Sequence, residues 1–392
     1  MNYILFDGPH RDALLPFTFT RPVADLRIGL LTLREKWEKH LGSTTSTLTE
    51  DYLEAKYPMV ELEENVMIHA SFVPTPQLVE QVKALQPNQA IRCGEEYVAF
   101  YTQQGQETVD FESYTILEYP EEEAITVFNT WDIFAKNGKA IELDFELLTA
   151  GRTSEPIPET VHCIQPERIF LEPGAKMEIG VLNATNGPIY LGKDSEVMEG
   201  SIIRGPFVLG EHSQVKMGAK IYGPTSAGPY CKLGGEINNS VFFAYSSKGH
   251  DGFLGNSVIG EWCNLGADTN TSNLKNNYAE VRLWSYETEN FARTGLQFCG
   301  LMMGDHSKCG INTMFNTGTV VGVASNIFGS GFPRNFVPSF SWGGHGGFVT
   351  HLPKKAYETA KIAMARRDVE FSKDDQAILD RVFEDTKGYR RE

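Results

Sequence analysis

An apolar residue recurs at every sixth position through much of the second half of this chain, and that spacing constrains the fold more than any other feature. Stepping in sixes from residue 179 gives Ile179, Thr185, Leu191, Val197, Ile203, Leu209, Val215, Ile221, Ala227 and Leu233, nine of the ten apolar. Glycine follows at positions 180, 192, 210, 228 and 234. The register resumes at Ile259 and Leu265 and, beyond an insertion, at Met303, Cys309, Phe315, Val321 and Ile327. Neither the 3.6-residue period of a helix nor the two-residue period of a strand demands this spacing. A coil of hexapeptides does, because each flat face sends one side chain inward and then turns a tight corner, where glycine fits. Three faces per turn make a triangular prism of stacked parallel strands around a continuous apolar column. The pattern therefore predicts a parallel β-helix.

The rest of the chain frames that prism. At 392 residues and 43.7 kDa it exceeds one compact core and calls for more than one domain. Thirty-five basic residues against 51 acidic ones give a net charge of −16, the wrong sign for a nucleic-acid partner. No apolar run approaches the ~18 residues of a membrane span. Asp7 breaks the first apolar run and no basic segment precedes it, so the expectation is a cytoplasmic protein without a secretory leader. The six cysteines form no CxxC pair, and are expected as core or interface residues rather than as disulfides or zinc ligands.

The first 155 residues begin with an apolar strand (Tyr3 to Phe6), pass through a polar loop and enter a helical stretch through Trp37, the order of an α/β nucleotide-binding domain. Arg11, Arg21 and Arg27 fall in this opening segment, and arginine suits bidentate contact with phosphate. Asp7, Asp25 and Asp132 are the candidates for holding Mg²⁺. The Gly151 to Pro158 stretch, with its two prolines, reads as a linker. The expected division is a nucleotidyltransferase-like α/β domain at 1–155, the β-helix at 156–340 and a helical tail at 341–392. In the tail, Pro353 can open one helix and Ser372 with Asp375 can cap another.

The chemistry is sought where the repeat breaks. His250 lies in Ser246-Ser247-Lys248-Gly249-His250-Asp251-Gly252, a polar, glycine-flanked segment between coils that would leave an imidazole exposed on the prism. The run from His250, His-x-x-Phe-Leu-Gly-Asn-x-x-Ile-Gly-x-x-x-Asn-Leu-Gly-Ala, resembles the acetyltransferase half of the bifunctional UDP-N-acetylglucosamine diphosphorylase / glucosamine-1-phosphate N-acetyltransferase family. The resemblance extends over roughly residues 185 to 340. The run Leu15-Pro16-Phe17-Thr18-Phe19-Thr20-Arg21-Pro22-Val23-Ala24-Asp25-Leu26 is similar to the N-terminal domain of an alternative form of that family, one with a short sugar nucleotidyltransferase domain.

That resemblance implies a left-handed coil, His250 as general base, and a sugar-phosphate and acetyl-CoA site drawn from Glu236, Asn238, Phe253, Asn264, Asn273 and Lys275. It further implies nucleotide binding by Arg11, Arg21 and Arg27, with Mg²⁺ for nucleotidyl transfer. The implied activity is N-acetylation of glucosamine 1-phosphate by acetyl-CoA, then uridylyl transfer from UTP to give UDP-N-acetylglucosamine and pyrophosphate. The chain departs from the family's bacterial pattern at Phe253 (Tyr there), Asn238 (Lys) and Leu274 (Tyr), so one cation and two phenols are lost. Lys220, Lys248 and Lys275 are available to restore the charge. One alternative is a sugar-1-phosphate nucleotidyltransferase, using UTP or dTTP, whose β-helix only oligomerises or regulates; another is a non-catalytic sugar-nucleotide sensor. Family prisms pack as trimers, and here Phe242, Phe243 and Trp262 are expected as exposed wall residues that call for partner subunits. In such a homotrimer the insertion from Asn270 to Leu296 would reach a neighbour's His250. Replacement of Arg21 is expected to remove uridylyl transfer and spare acetylation.

Overall fold

The computed structural model describes residues 1–106 and 108–390. Six strands, β1 (Asn2–Phe6), β2 (Ser46–Leu48), β3 (Glu64–His69), β4 (Gln89–Cys93), β5 (Glu96–Gln103) and β6 (Thr115–Glu118), make one N-terminal sheet in the order β2-β1-β3-β5-β4-β6. β1 runs parallel to β2 and β3, while β5 is antiparallel to both of its neighbours. The helix Leu33–Leu41 starts where it does because the Thr32 hydroxyl accepts the Glu35 N–H while the Glu35 side chain accepts the Thr32 N–H. It stops at Gly42, whose φ of 69° suits glycine.

That helix buries Lys36 as well as Trp37, and the Lys36 ammonium is paired with Asp144 from the helix Asn137–Thr149. Asp144 also accepts the N–H groups of Leu30 and Leu31, at 2.8 and 3.2 Å. Burial pushes Lys36 down and Asp144 up, so neither charge is comfortable without the other. Asp144→Ala is expected to destabilise the chain by about 3–5 kcal/mol, because it strands a buried ammonium. A lowered urea midpoint with an unchanged slope would register that loss.

From Val161 onward the chain is the predicted parallel β-solenoid, with walls of six, nine and ten strands. The hexad residues Leu191, Leu209 and Ala227 stack in register along one inner column, and Val197, Val215 and Leu233 along another. All six are buried. Ile179 and Thr185 depart from the hexad reading: Ile179 is 56% exposed, and the inward positions on those coils are Met177 and Leu182. Their registry is lost because the Ala184 to Pro188 segment lengthens one corner. At Gly228 a Cβ would come within 1.7 Å of the Phe243 carbonyl, so glycine is required where coils stack this closely.

The N-terminal domain lies along the nine-stranded wall and shares one core with it. Leu30 and Leu31 pack on Phe170, Tyr190 and Val208, and Phe17 meets Phe243 at 5.2 Å between ring centroids. This corrects the expectation of exposed wall aromatics. Phe242 points into the prism, Phe243 is covered by the N-terminal domain, and Trp262 stacks on Tyr245 at 4.0 Å. The insertion is likewise used within the chain. Its hairpin, Arg282–Ser285 with Asn290–Arg293, sends Leu283 and Tyr286 into the shared core, where Tyr286 meets Phe19 edge-on.

The tail follows its capping signals. A hairpin, Ser341–Gly344 with Gly347–Thr350, ends the ten-stranded wall. Helix Pro353–Ala365 has its proline in the first turn, and helix Lys373–Asp385 begins at a Ser372/Asp375 capping box. The second helix returns to the N-terminal domain through Lys56 Nζ and Asp375 Oδ1, 2.7 Å apart. All six cysteines are free thiols, and all but Cys163 are buried.

Candidate functional site

His250 stands exposed at the corner between strands Ser247–Lys248 and Phe253–Gly255. Its imidazole has no hydrogen-bond partner among the described residues. The wall that begins at Phe253 sets side chains from successive coils side by side: Lys220 opposite Glu236, Glu236 opposite Phe253, and Asn238 opposite Gly255. Asn264 lies on the wall that leads into the corner, opposite Ser247, and is exposed. The predicted residues His250, Glu236, Phe253, Asn238 and Asn264 thus flank one edge of the prism.

Asn273 and Lys275 are not free in the same way. Asn273 Nδ2 donates to Asn256 Oδ1 at 2.8 Å, and Lys275 Nζ donates to the Glu280 carbonyl at 2.9 Å. Lys248 cannot serve as a replacement cation on the wall, because it points into the prism and is 1% exposed. Burial pushes its pKa down to about 8. Lys220 alone among the three replacement cations lies beside Glu236 with its head free.

One residue of this edge went unnoticed in the sequence. Tyr222 donates its hydroxyl to Glu236 Oε1 at 2.5 Å, a bond that pushes the phenol pKa up to about 12. It stands opposite Asn238 one coil earlier. The signal for it was the 16-residue length of that coil, which breaks the 18-residue step.

The N-terminal domain has its own cleft of about 270 Å³ at the carboxyl ends of β1 and β2, lined by Asp7, Gly8, Arg11, Asp12, Thr49 and Glu50 among others. Ligands of open α/β sheets bind at such strand ends. Arg11 lines it, although its guanidinium already donates to Asp7, the Thr18 carbonyl and the Tyr52 hydroxyl. Arg27 is elsewhere, buried with its guanidinium on the Leu30 carbonyl and 3.6 Å from Glu35.

Arg21 departs furthest from the phosphate-binding expectation. It is 5% exposed and joins the two domains through ion pairs to Asp305 and, at 2.8 Å, to Glu261, both on the solenoid. Thr20 adds a hydrogen bond to Asp305 at 2.7 Å.

The three carboxylates expected to hold Mg²⁺ are each engaged within the N-terminal domain. Asp7 accepts from Thr49, the Val23 N–H and Arg11; Asp25 is paired with Arg34; Asp132 accepts the N–H groups of Phe128 and Asn129 and lies 3.3 Å from Lys136. No cluster of three or more His, Cys, Asp or Glu with metal-binding geometry occurs among the described residues.

Residues 3–153 match the family model described as sugar nucleotidyl transferase. A bifunctional protein GlmU from Methanocaldococcus jannaschii is 33% identical over 89 residues, 22% of this chain and 21% of that protein, so the match spans about a fifth of its length. The crystal structure of the polySia-specific acetyltransferase NeuO overlaps 54% of this chain and 96% of its own at 12% identity, with a TM-score of 0.28. What the comparisons show for this chain is an N-terminal segment, residues 3–153, similar to sugar nucleotidyl transferases, set here against a parallel β-solenoid.

Proposed function

We propose that the chain is a bifunctional sugar-phosphate enzyme. The solenoid N-acetylates glucosamine 1-phosphate with acetyl-CoA, and the N-terminal domain joins UTP to N-acetylglucosamine 1-phosphate with release of pyrophosphate. The observation that carries the first half is the unpartnered, exposed imidazole of His250 at an edge flanked by Lys220, Glu236, Phe253 and Asn264. A ring nitrogen with no partner of its own can take the proton that an attacking amine must lose. The amine nitrogen then bonds to the thioester carbonyl carbon, the carbon–sulfur bond breaks, and the thiolate leaves to be protonated. Lys220 supplies the cation for a phosphate, and the Asn264 amide can donate to the developing oxyanion.

The second half rests on the family match over residues 3–153 and on the cleft at the strand ends. Mg²⁺ would neutralise triphosphate charge there; none of Asp7, Asp25 or Asp132 is assigned to it. A homotrimer remains part of the proposal on different grounds from the aromatic wall. Ile202 and Met217, on the coils below the His250 corner, are 52% and 71% exposed, and no element among the described residues covers them.

Incubation of the full chain with glucosamine 1-phosphate, acetyl-CoA, UTP and Mg²⁺ should yield UDP-N-acetylglucosamine by mass spectrometry. Accumulation of N-acetylglucosamine 1-phosphate alone would remove the nucleotidyl half of the proposal. Absence of both products would remove all of it.

A further inference from the structure

Lys248 is a charged residue in an otherwise apolar column. Leu233 lies opposite it on the coil below, and since Ser247 pairs with Asn264, Leu265 follows on the coil above. The side chain is buried, and no carboxylate pairs with it among the described residues. Its ammonium instead donates to two backbone carbonyls, that of His250 at 2.7 Å and that of Gly234 at 3.0 Å. An ammonium withdrawn from water into such a column is expensive, and an apolar side chain of that length would fill the same space.

The two carbonyls belong to successive turns of one prism corner. Between its inward residues the lower corner spans only Leu233 to Ile237, whereas the upper one spans Lys248 to Leu254, two residues more. The surplus includes His250 and Asp251, so this loop has no matching loop beneath it on which to stack. What lies beneath is Gly234-Gly235. A Cβ on Gly234 would come within 2.5 Å of the Gly249 carbonyl, and one on Gly235, whose φ is +71°, within 2.9 Å of the His250 carbonyl. The glycines let the His250 backbone sit down on the lower coil, and the Lys248 ammonium ties it there from inside.

Resting on the proposed role of His250, we infer that Lys248 is a positioning residue for acyl transfer: its ammonium clamps the His250 carbonyl to the Gly234 carbonyl and so fixes the corner that aims the imidazole. A catalytic group must be held within a fraction of an ångström of its productive place, and a 1 Å displacement can cost about 100-fold in rate. The charge in the column is then explained by the loop it holds.

The test is Lys248→Met in the full chain, with His250→Ala in parallel, read by acetyl-transfer kinetics, thermal melting and hydrogen exchange of residues 249–252. The inference expects kcat to fall by about 10- to 100-fold with the KM for acetyl-CoA little changed. It also expects a melting temperature no lower than that of the wild type, since an apolar residue replaces a buried charge, and faster exchange confined to the loop. A merely structural lysine would lower the melting temperature and leave the kcat of the folded fraction intact, which would overturn the inference. Unchanged loop exchange would overturn it as well, whatever the kinetics. If His250→Ala itself retains activity, the proposed role of His250 fails and the positioning role falls with it; full activity of Lys248→Met beside an inactive His250→Ala sinks the positioning role alone.

Discussion

His250→Ala should abolish acetyl transfer while leaving the fold and nucleotidyl transfer in place. Removal of a positioned general base lowers rates by about 10² to 10⁴. The side chain is exposed and hydrogen-bonds to nothing among the described residues, so its loss leaves no cavity and no stranded polar partner. Thiol release from acetyl-CoA and pyrophosphate release from UTP, measured on the same preparation, separate the two outcomes. Retention of more than about a tenth of the acetyl-transfer rate would take His250 out of the mechanism.

Arg21→Ala should have the largest effect on stability. The guanidinium is enclosed between Asp305, which is 3% exposed, and Glu261, with the Phe243 ring 5.4 Å away. The two carboxylates hold Arg21 above its ordinary pKa, so it stays charged throughout the accessible pH range. Truncation leaves Asp305 buried without its cation, a loss of about 3–5 kcal/mol. Because the pair joins the N-terminal domain to the solenoid, both activities should fall together as the melting temperature drops. The Arg21→Met, Asp305→Leu double variant should recover much of that stability, since it removes both charges. Loss of uridylyl transfer alone, at an unchanged melting temperature, would return Arg21 to phosphate binding.

These two residues mark where the sequence is legible. The hexad pattern was readable because a prism coil needs one inward residue and one tight corner per face, and both requirements leave a residue type behind. It lapses between residues 234 and 258, where the coils shorten to between 15 and 17 residues and an inward position is taken by Lys248. His250 is found in that same lapse, on a corner of ordinary length, Lys248 to Leu254, that overhangs the shortened corner Leu233 to Ile237 beneath it. The helix starts at Pro353 and Ser372 were legible for a local reason: caps are made within four residues.

What escaped was every contact between distant parts of the chain. Phe242 and Phe243 are neighbours with the same side chain, yet one fills the prism and the other meets Phe17, and only the packing of the N-terminal domain distinguishes them. Arg21 looks like a phosphate ligand by residue type because a buried interdomain carboxylate asks for the same fork of donors. The partners of Asp7, Asp25 and Asp132 were likewise not legible, their oxygens accepting from backbone amides, hydroxyls and cations of the same domain.

The central claim is that the prism edge at His250 is an acyl-transfer site for an amino sugar phosphate. It is tested most directly by the initial rate of thiol release from acetyl-CoA, with and without glucosamine 1-phosphate, by the wild-type chain and by His250→Ala side by side. The account predicts release that requires the acceptor in the wild type and is lost in the variant. Release of equal rate in both proteins, or none in the wild type with acceptor present, would contradict it.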